Sequence, residues 1–174
     1  EGIHSHYFPV DGDVLTWSNY SYRGKLRFTD ENSGIGLTFL SRTPEGIDQF
    51  YVIRRTAEQP SFHLAAHPLG VQPLTAEAES SLDSGVLPEP EQDYFVLVEV
   101  ETGDDRTQIR AKVWEAGTAE PEDFQIRAFD ASDIRIAAGT VGVWTAGPGT
   151  KTFDDLKVLR ETLLSEDFSA YAPE

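Results

Sequence analysis

From Tyr20 to Phe28 apolar and polar residues alternate, with Tyr20, Tyr22, Leu26 and Phe28 set against Ser21, Arg23, Lys25 and Arg27. A period of two predicts a strand with one buried face. Asp30-Glu-Asn-Ser-Gly34 turns the chain, and Ile35, Leu37 and Phe39 resume the pattern. Phe50 to Arg55 follows a Thr-Pro-Glu-Gly turn at 43 to 46, and Ser61 to Ala66 predicts a shorter strand. Between His67 and Asp93 four prolines and two glycines interrupt any period, which predicts an extended loop with at most one short strand or helical turn. Tyr94–Val100 and Gln108–Trp114, joined through Thr102-Gly-Asp-Asp-Arg-Thr107, carry a hairpin signal. Phe124 to Phe129 adds a strand. Gly139–Trp144 and Thr152–Val158, on either side of Gly147-Pro-Gly149, predict a closing hairpin. About nine or ten short strands, with no long helical period, predict an all-β chain folded as a two-sheet antiparallel β-sandwich. Tyr22, Phe28, Phe39, Phe50 and Phe95 are its expected packing aromatics.

Length and composition narrow the picture. A chain of 174 residues, 39% hydrophobic and 11% aromatic, suits one globular core. No run approaches the roughly 18 apolar residues of a membrane span, so membrane insertion is not expected. Thirty acids against fourteen bases leave a formal charge of -16, which repels phosphate backbones and makes nucleic acid a poor partner. The same acids suit either simple solubility or a cation-rich setting. Cysteine is absent, which removes disulfides, thiolate nucleophiles and cysteine-ligated zinc. A start at Glu1-Gly2-Ile3, without an initiator methionine or a signal peptide, reads as a segment of a longer or processed precursor.

The segments Gly139-Thr-Val-Gly-Val-Trp144 and Phe153-Asp-Asp-Leu-Lys-Val158 resemble the C-terminal end of concanavalin A-like, or laminin G-like, jelly-roll domains of extracellular bacterial proteins. The resemblance extends from about Ser18 to Val158 and implies a jelly roll over residues 1–160. It further implies a secreted or cell-surface setting, a glycan or polysaccharide partner and a place in a multidomain protein. Leu164-Ser-Glu-Asp-Phe-Ser-Ala-Tyr171 resembles the opening strand of such domains, so 161–174 is expected to be a disordered tail, the start of another module or a strand that folds back. Sandwich modules of this kind often hold a structural calcium ion through a strand-edge aspartate and an early loop. The matching residues are Asp154, Asp30 and Asn32, with Asp11 and Asp13 as a rival cluster, unless these acids simply cap turns.

Catalytic patterns are missing. No strand has the Glu-x-Asp-x-x-Glu spacing of jelly-roll glycosidases, and Glu99-Val-Glu101 runs straight into a turn. The Gln-x-His and Tyr-x-Lys motifs of jelly-roll lyases are absent too, which leaves a loose constellation of His63 and Tyr51 with Arg42 or Arg55. His4-Ser-His6 sets two imidazoles on one side of an extended chain, but with no third ligand nearby a frayed terminus is expected. Binding remains. Sugar sites combine flat rings with hydrogen-bond donors, and Trp17, Tyr51, Trp144, Arg42, Arg55 and His63 are the candidates, joined by Trp114 and Arg54. Trp144 falls in the polar phase of its strand, opposite Val141 and Val143, whereas Trp114 reads as a corner residue. The resulting expectation is a non-catalytic, lectin-like carbohydrate-binding module. The alternatives are a polysaccharide lyase or glycoside hydrolase with an unrecognised site, or a structural spacer.

Overall fold

The structure is a computed structural model that describes residues 4–68 and 73–160. Eleven strands build it: β1 (His4–Tyr7), β2 (Tyr20–Phe28), β3 (Gly34–Arg42), β4 (Gln49–Arg55), β5 (His63–His67), β6 (Thr75–Ala76), β7 (Tyr94–Thr102), β8 (Thr107–Glu115), β9 (Ile126–Asp130), β10 (Thr140–Ala146) and β11 (Lys151–Arg160). The helical content among the described residues is two short 3-10 turns, Val14–Thr16 and Pro44–Gly46. No helix there is long and apolar enough to cross a membrane. The expected tail, 161–174, lies outside the described residues.

The strands form two antiparallel sheets, one of five strands in the order β1-β10-β3-β4-β5 and one of six in the order β11-β2-β7-β8-β9-β6. Their facing sides make a single core. Tyr22, Leu26 and Phe28 from β2, with Val96, Val98, Ile109 and Val113, meet Ile35, Leu37, Phe39, Ile53 and Leu64 from the five-stranded sheet. Each strand contributes alternate residues, so the inward phase read from the sequence is the packed one. Trp144, Phe50, Val52 and Ala65 form a second, smaller buried cluster. They occupy the opposite phase of β10, β4 and β5, on the outer face of the five-stranded sheet.

The closing hairpin is not a hairpin. β10 pairs with β1 and β3 in one sheet, while β11 pairs with β2 in the other. Gly147-Pro-Gly149 therefore carries the chain across the sandwich, and so does the turn between β2 and β3. The two crossovers lie against each other: Thr29 N–H donates to the Thr150 carbonyl at 3.1 Å, and the Ser33 hydroxyl donates to the Pro148 carbonyl at 2.7 Å. Glycine is required on both counts at Gly149, where φ is +79° and a Cβ would meet the Asp30 Cβ at 2.6 Å. A turn signal in sequence specifies chain reversal, not which sheet receives the next strand.

β1 also departs from expectation. His4 and His6 belong to a paired strand, not a frayed end, with His4 opposite Ala146 and His6 opposite Trp144 on β10. β1 leans over the outer face of its sheet, because a Cβ on Gly142 would meet Phe8 Cβ at 2.8 Å and the Tyr7 carbonyl. β1 and β5 are opposite edges, which in a flat five-stranded sheet lie about 19 Å apart. Yet the rings of His4 and His67 are 5.1 Å apart, so side chains from the two edges converge over the outer face.

Candidate functional site

The outer face of the five-stranded sheet holds a groove of about 780 Å³, lined by His4, Arg54, His63, His67 and Trp144 with Asn32 and Gln59 at its rim. Its shape follows from which residues share the outward phase. Gly34 and Gly36 on β3 present no side chain, and the six-membered ring of Trp144 lies over Gly34, 2.8 Å from where a Cβ would stand. Arg54 lies over the same indole, its guanidinium carbon 4.8 Å from the ring centroid. Trp144 is only 3% exposed. It is thus the floor of the groove, covered by a cation-π contact, and not an open stacking platform. Its Nε1–H is buried without an acceptor among the described residues, an unmet donor on the groove lining.

The histidines are held differently from one another. His63 is buried, its Nδ1 2.9 Å from the Ser61 carbonyl, and burial lowers its pKa below the usual value. His6 has a buried imidazole whose Nδ1 lies 2.9 Å from each oxygen of Asp48, while Nε2 contacts the Thr38 and Ser41 hydroxyls at 2.9 and 3.2 Å. A carboxylate only accepts, so Nδ1 carries the proton and Nε2 accepts from a hydroxyl. Burial lowers the His6 pKa despite Asp48, which keeps the ring neutral at pH 7. His67 stacks on Phe50 at 4.8 Å and 13°, and His4 lies 6.0 Å from the Trp144 ring.

The residues singled out from sequence divide among several places. Trp144 and His63 lie in the groove together. Tyr51 points inward, where its hydroxyl donates to Asp130 at 2.6 Å and accepts from Ile136 N–H at 3.0 Å. Tyr51 and His63 therefore project from opposite faces of one sheet, and the loose lyase constellation is not assembled. Arg55 is also buried on the inner side, donating to the Glu31, Ser33 and Pro60 carbonyls and covering Phe28, so it clamps the β2–β3 crossover. Arg42 is held at the end of β3 by Gln49 at 3.0 Å. Trp17 packs on the main core under Arg160, away from the groove. Trp114 is not a corner residue. It lies on the outer face of the six-stranded sheet, stacked on Phe95 at 5.4 Å and covered by Arg23.

Asp154 and Asp155 both pair with Lys25, at 3.2 Å each, and the lysine partly accounts for a lowered Asp154 pKa, after the Asp155 backbone N–H. Asp30 accepts from the Asn32 N–H at 2.8 Å, closing the crossover turn. The register sets Asp154 beside Lys25 and Lys151 beside Phe28, so the strand partner of Asp154 is a lysine and not the Asp30 loop. The fold joins His4, which the sequence offered with His6 as a metal pair lacking a third ligand, to two residues that sequence reading passed over, Asp48 and His67; the ligand atoms of the three lie within 4.8 Å of one another. Asp48 and His67 were not legible as its partners, since they are remote from His4 in sequence and meet it only in the folded sheet.

No family model and no curated protein matches this sequence. Solved structures do match. The chain is similar to the carbohydrate binding module CBM66 from Bacillus subtilis, with a TM-score of 0.53 and 16% identity over 82% of this chain and 76% of that one. It is similar to the catalytic domain of the glycoside hydrolase family 131 protein from Coprinopsis cinerea, with a TM-score of 0.50 and 8% identity over 86% of this chain but only 59% of that one. Galectin LEC-6 from Caenorhabditis elegans matches at a TM-score of 0.45 and 12% identity, over 91% of each chain. At such identities the likeness concerns the fold: an all-β, two-sheet antiparallel sandwich of the jelly-roll kind.

Proposed function

We propose that this chain is a non-catalytic carbohydrate-binding module whose glycan occupies the groove on the outer face of the five-stranded sheet. The observation that carries the proposal is the donor set around that groove. Arg54, His63, His4 and His67, with the Asn32 and Gln59 amides, surround about 780 Å³ of space above an apolar floor. Saccharides need such a combination, because their hydroxyls take planar donors while their C–H faces take an apolar surface. Glu58 is the one carboxylate side chain among the lining residues, so no acid pair faces the space a glycosidic bond would enter. The similar Bacillus subtilis protein is a carbohydrate binding module, which supports the same class of ligand. The setting that goes with this function is a secreted or cell-surface protein with other modules attached.

The test is a polysaccharide array read twice, once for retention of the protein and once for reducing ends or unsaturated products. Binding without products is expected. Products that persist after repurification would establish an enzyme, and retention on none of the neutral or acidic polysaccharides would remove the glycan reading.

A further inference from the structure

We propose that His4, Asp48 and His67 bind a divalent transition-metal ion of the zinc class at the edge of the groove, which His4 and His67 also line. The donors come from three separate segments: β1, the loop before β4 and the last residue of β5. Their ligand atoms lie within 4.8 Å of one another. Tetrahedral zinc with bonds of roughly 2.0–2.2 Å holds its ligand atoms about 3.3 Å apart, so each donor needs to move inward by only about 1 Å. A small side-chain rotation supplies that.

The surroundings hold the donors in place. The His67 ring is stacked on Phe50, the His4 ring stands edge-on to it at 74°, and His4 is backed by Trp144. Asp48 is oriented by His6, which touches both of its oxygens and is itself anchored by Thr38 and Ser41. Metal-binding carboxylates characteristically have such a second partner, which fixes their direction. All three donors are partly exposed, leaving a path for the ion and a fourth position for water or a ligand atom. Two imidazoles and one carboxylate select zinc, cobalt, nickel or copper over calcium, which takes six to eight oxygens. The site therefore differs in chemistry as well as in place from the Asp154 and Asp30 set. Because His4 and His67 come from opposite edges of the sheet, a bound ion would tie β1 down across the face.

The experiment is a zinc titration of the full chain after treatment with chelator, followed by calorimetry and repeated with cobalt to read its visible absorption. One ion per chain is expected, with a raised melting temperature in zinc and a tetrahedral cobalt spectrum. Asp48→Asn and His67→Ala are each expected to weaken zinc binding at least about tenfold, while Glu99→Gln, on the other sheet, binds as the parent does. Melting curves of the metal-free variants serve as the folding control, and Asp48→Asn, nearly isosteric, serves alone if His67→Ala does not fold. Absence of stoichiometric binding, or equal binding by parent and Asp48→Asn, would overturn the site. Since no saccharide enters the titration, its failure leaves the glycan proposal standing, and an array without retention leaves the metal site standing.

Discussion

The two outer faces of the sandwich are built by the same alternation and end in opposite states. On the six-stranded sheet many outward residues are charged and paired, Arg110 with Glu99 across strands at 3.1 Å and Lys112 with Glu120 of the β8–β9 loop at 3.1 Å. Aromatic rings there are covered by cations of the same face: Arg23 over Phe95 at 4.4 Å, and Arg110 and Lys112 over Phe124 at 5.3 and 5.0 Å. A cleft of only about 170 Å³ opens beside Ser21, Glu99 and Arg110. On the five-stranded sheet the outward residues around the groove include Gly34, His63, His67, Trp144 and a single arginine, Arg54, and the groove is more than four times larger. The contrast teaches that outward rings alone do not make a ligand face. Side-chain-free strand positions next to the ring decide it, because they let the indole lie flat and leave space above the sheet.

The largest effect that separates the faces is on stability. Trp144→Ala removes a nearly fully buried indole and is expected to cost about 3–5 kcal/mol in urea denaturation, whereas Glu99→Ala on the other face should stay within about 0.5 kcal/mol. A Trp144→Ala variant as stable as the parent would mean that the ring is not the floor of anything. Next in size is binding. With a retained saccharide in hand, Arg54→Ala should lower affinity at least about tenfold, or about 1.4 kcal/mol, while Arg23→Ala leaves it unchanged. The reverse ranking would move the ligand to the six-stranded sheet.

The sequence reached some of this and not the rest, for identifiable reasons. Strand positions such as Tyr20–Phe28 follow from alternation, since side-chain direction within a strand is a local property. The outward phase of Trp144 was legible for the same reason. The partner of β11 was not, because Gly147-Pro-Gly149 reverses the chain in the same way whether the next strand pairs beside it or crosses to the other sheet. Arg55 and Tyr51 look like surface donors in sequence, yet their partners, the Glu31 and Ser33 carbonyls and Asp130, are known only once loops pack. His4, Asp48 and His67 come from three segments remote in sequence and meet only in the folded sheet, which no local pattern encodes.

A smaller effect is expected from pH. Burial disfavours the His63 imidazolium and sets its folded pKa below the unfolded value of 6.5. The native state therefore binds fewer protons than the unfolded chain between the two pKa values. The stability linked to His63 is complete above 6.5, declines as pH falls below 6.5 and levels off beneath the folded pKa. Melting temperatures measured across that window should fall less steeply for His63→Gln than for the parent, with the residual slope owed in part to His6. Parallel slopes would show that His63 is as easily protonated in the fold as outside it.

The central claim is that the outer face of the five-stranded sheet is the ligand face. Its most direct test is an amide NMR titration of the intact chain with an oligosaccharide cut from the best-retained polysaccharide. The account predicts shifts concentrated in β1, β10, β4 and β5 around Arg54, His63 and Trp144, with β7 and β8 unmoved. Shifts centred on Arg23, Phe95 and Lys112 instead, or spread evenly over both sheets, would contradict it.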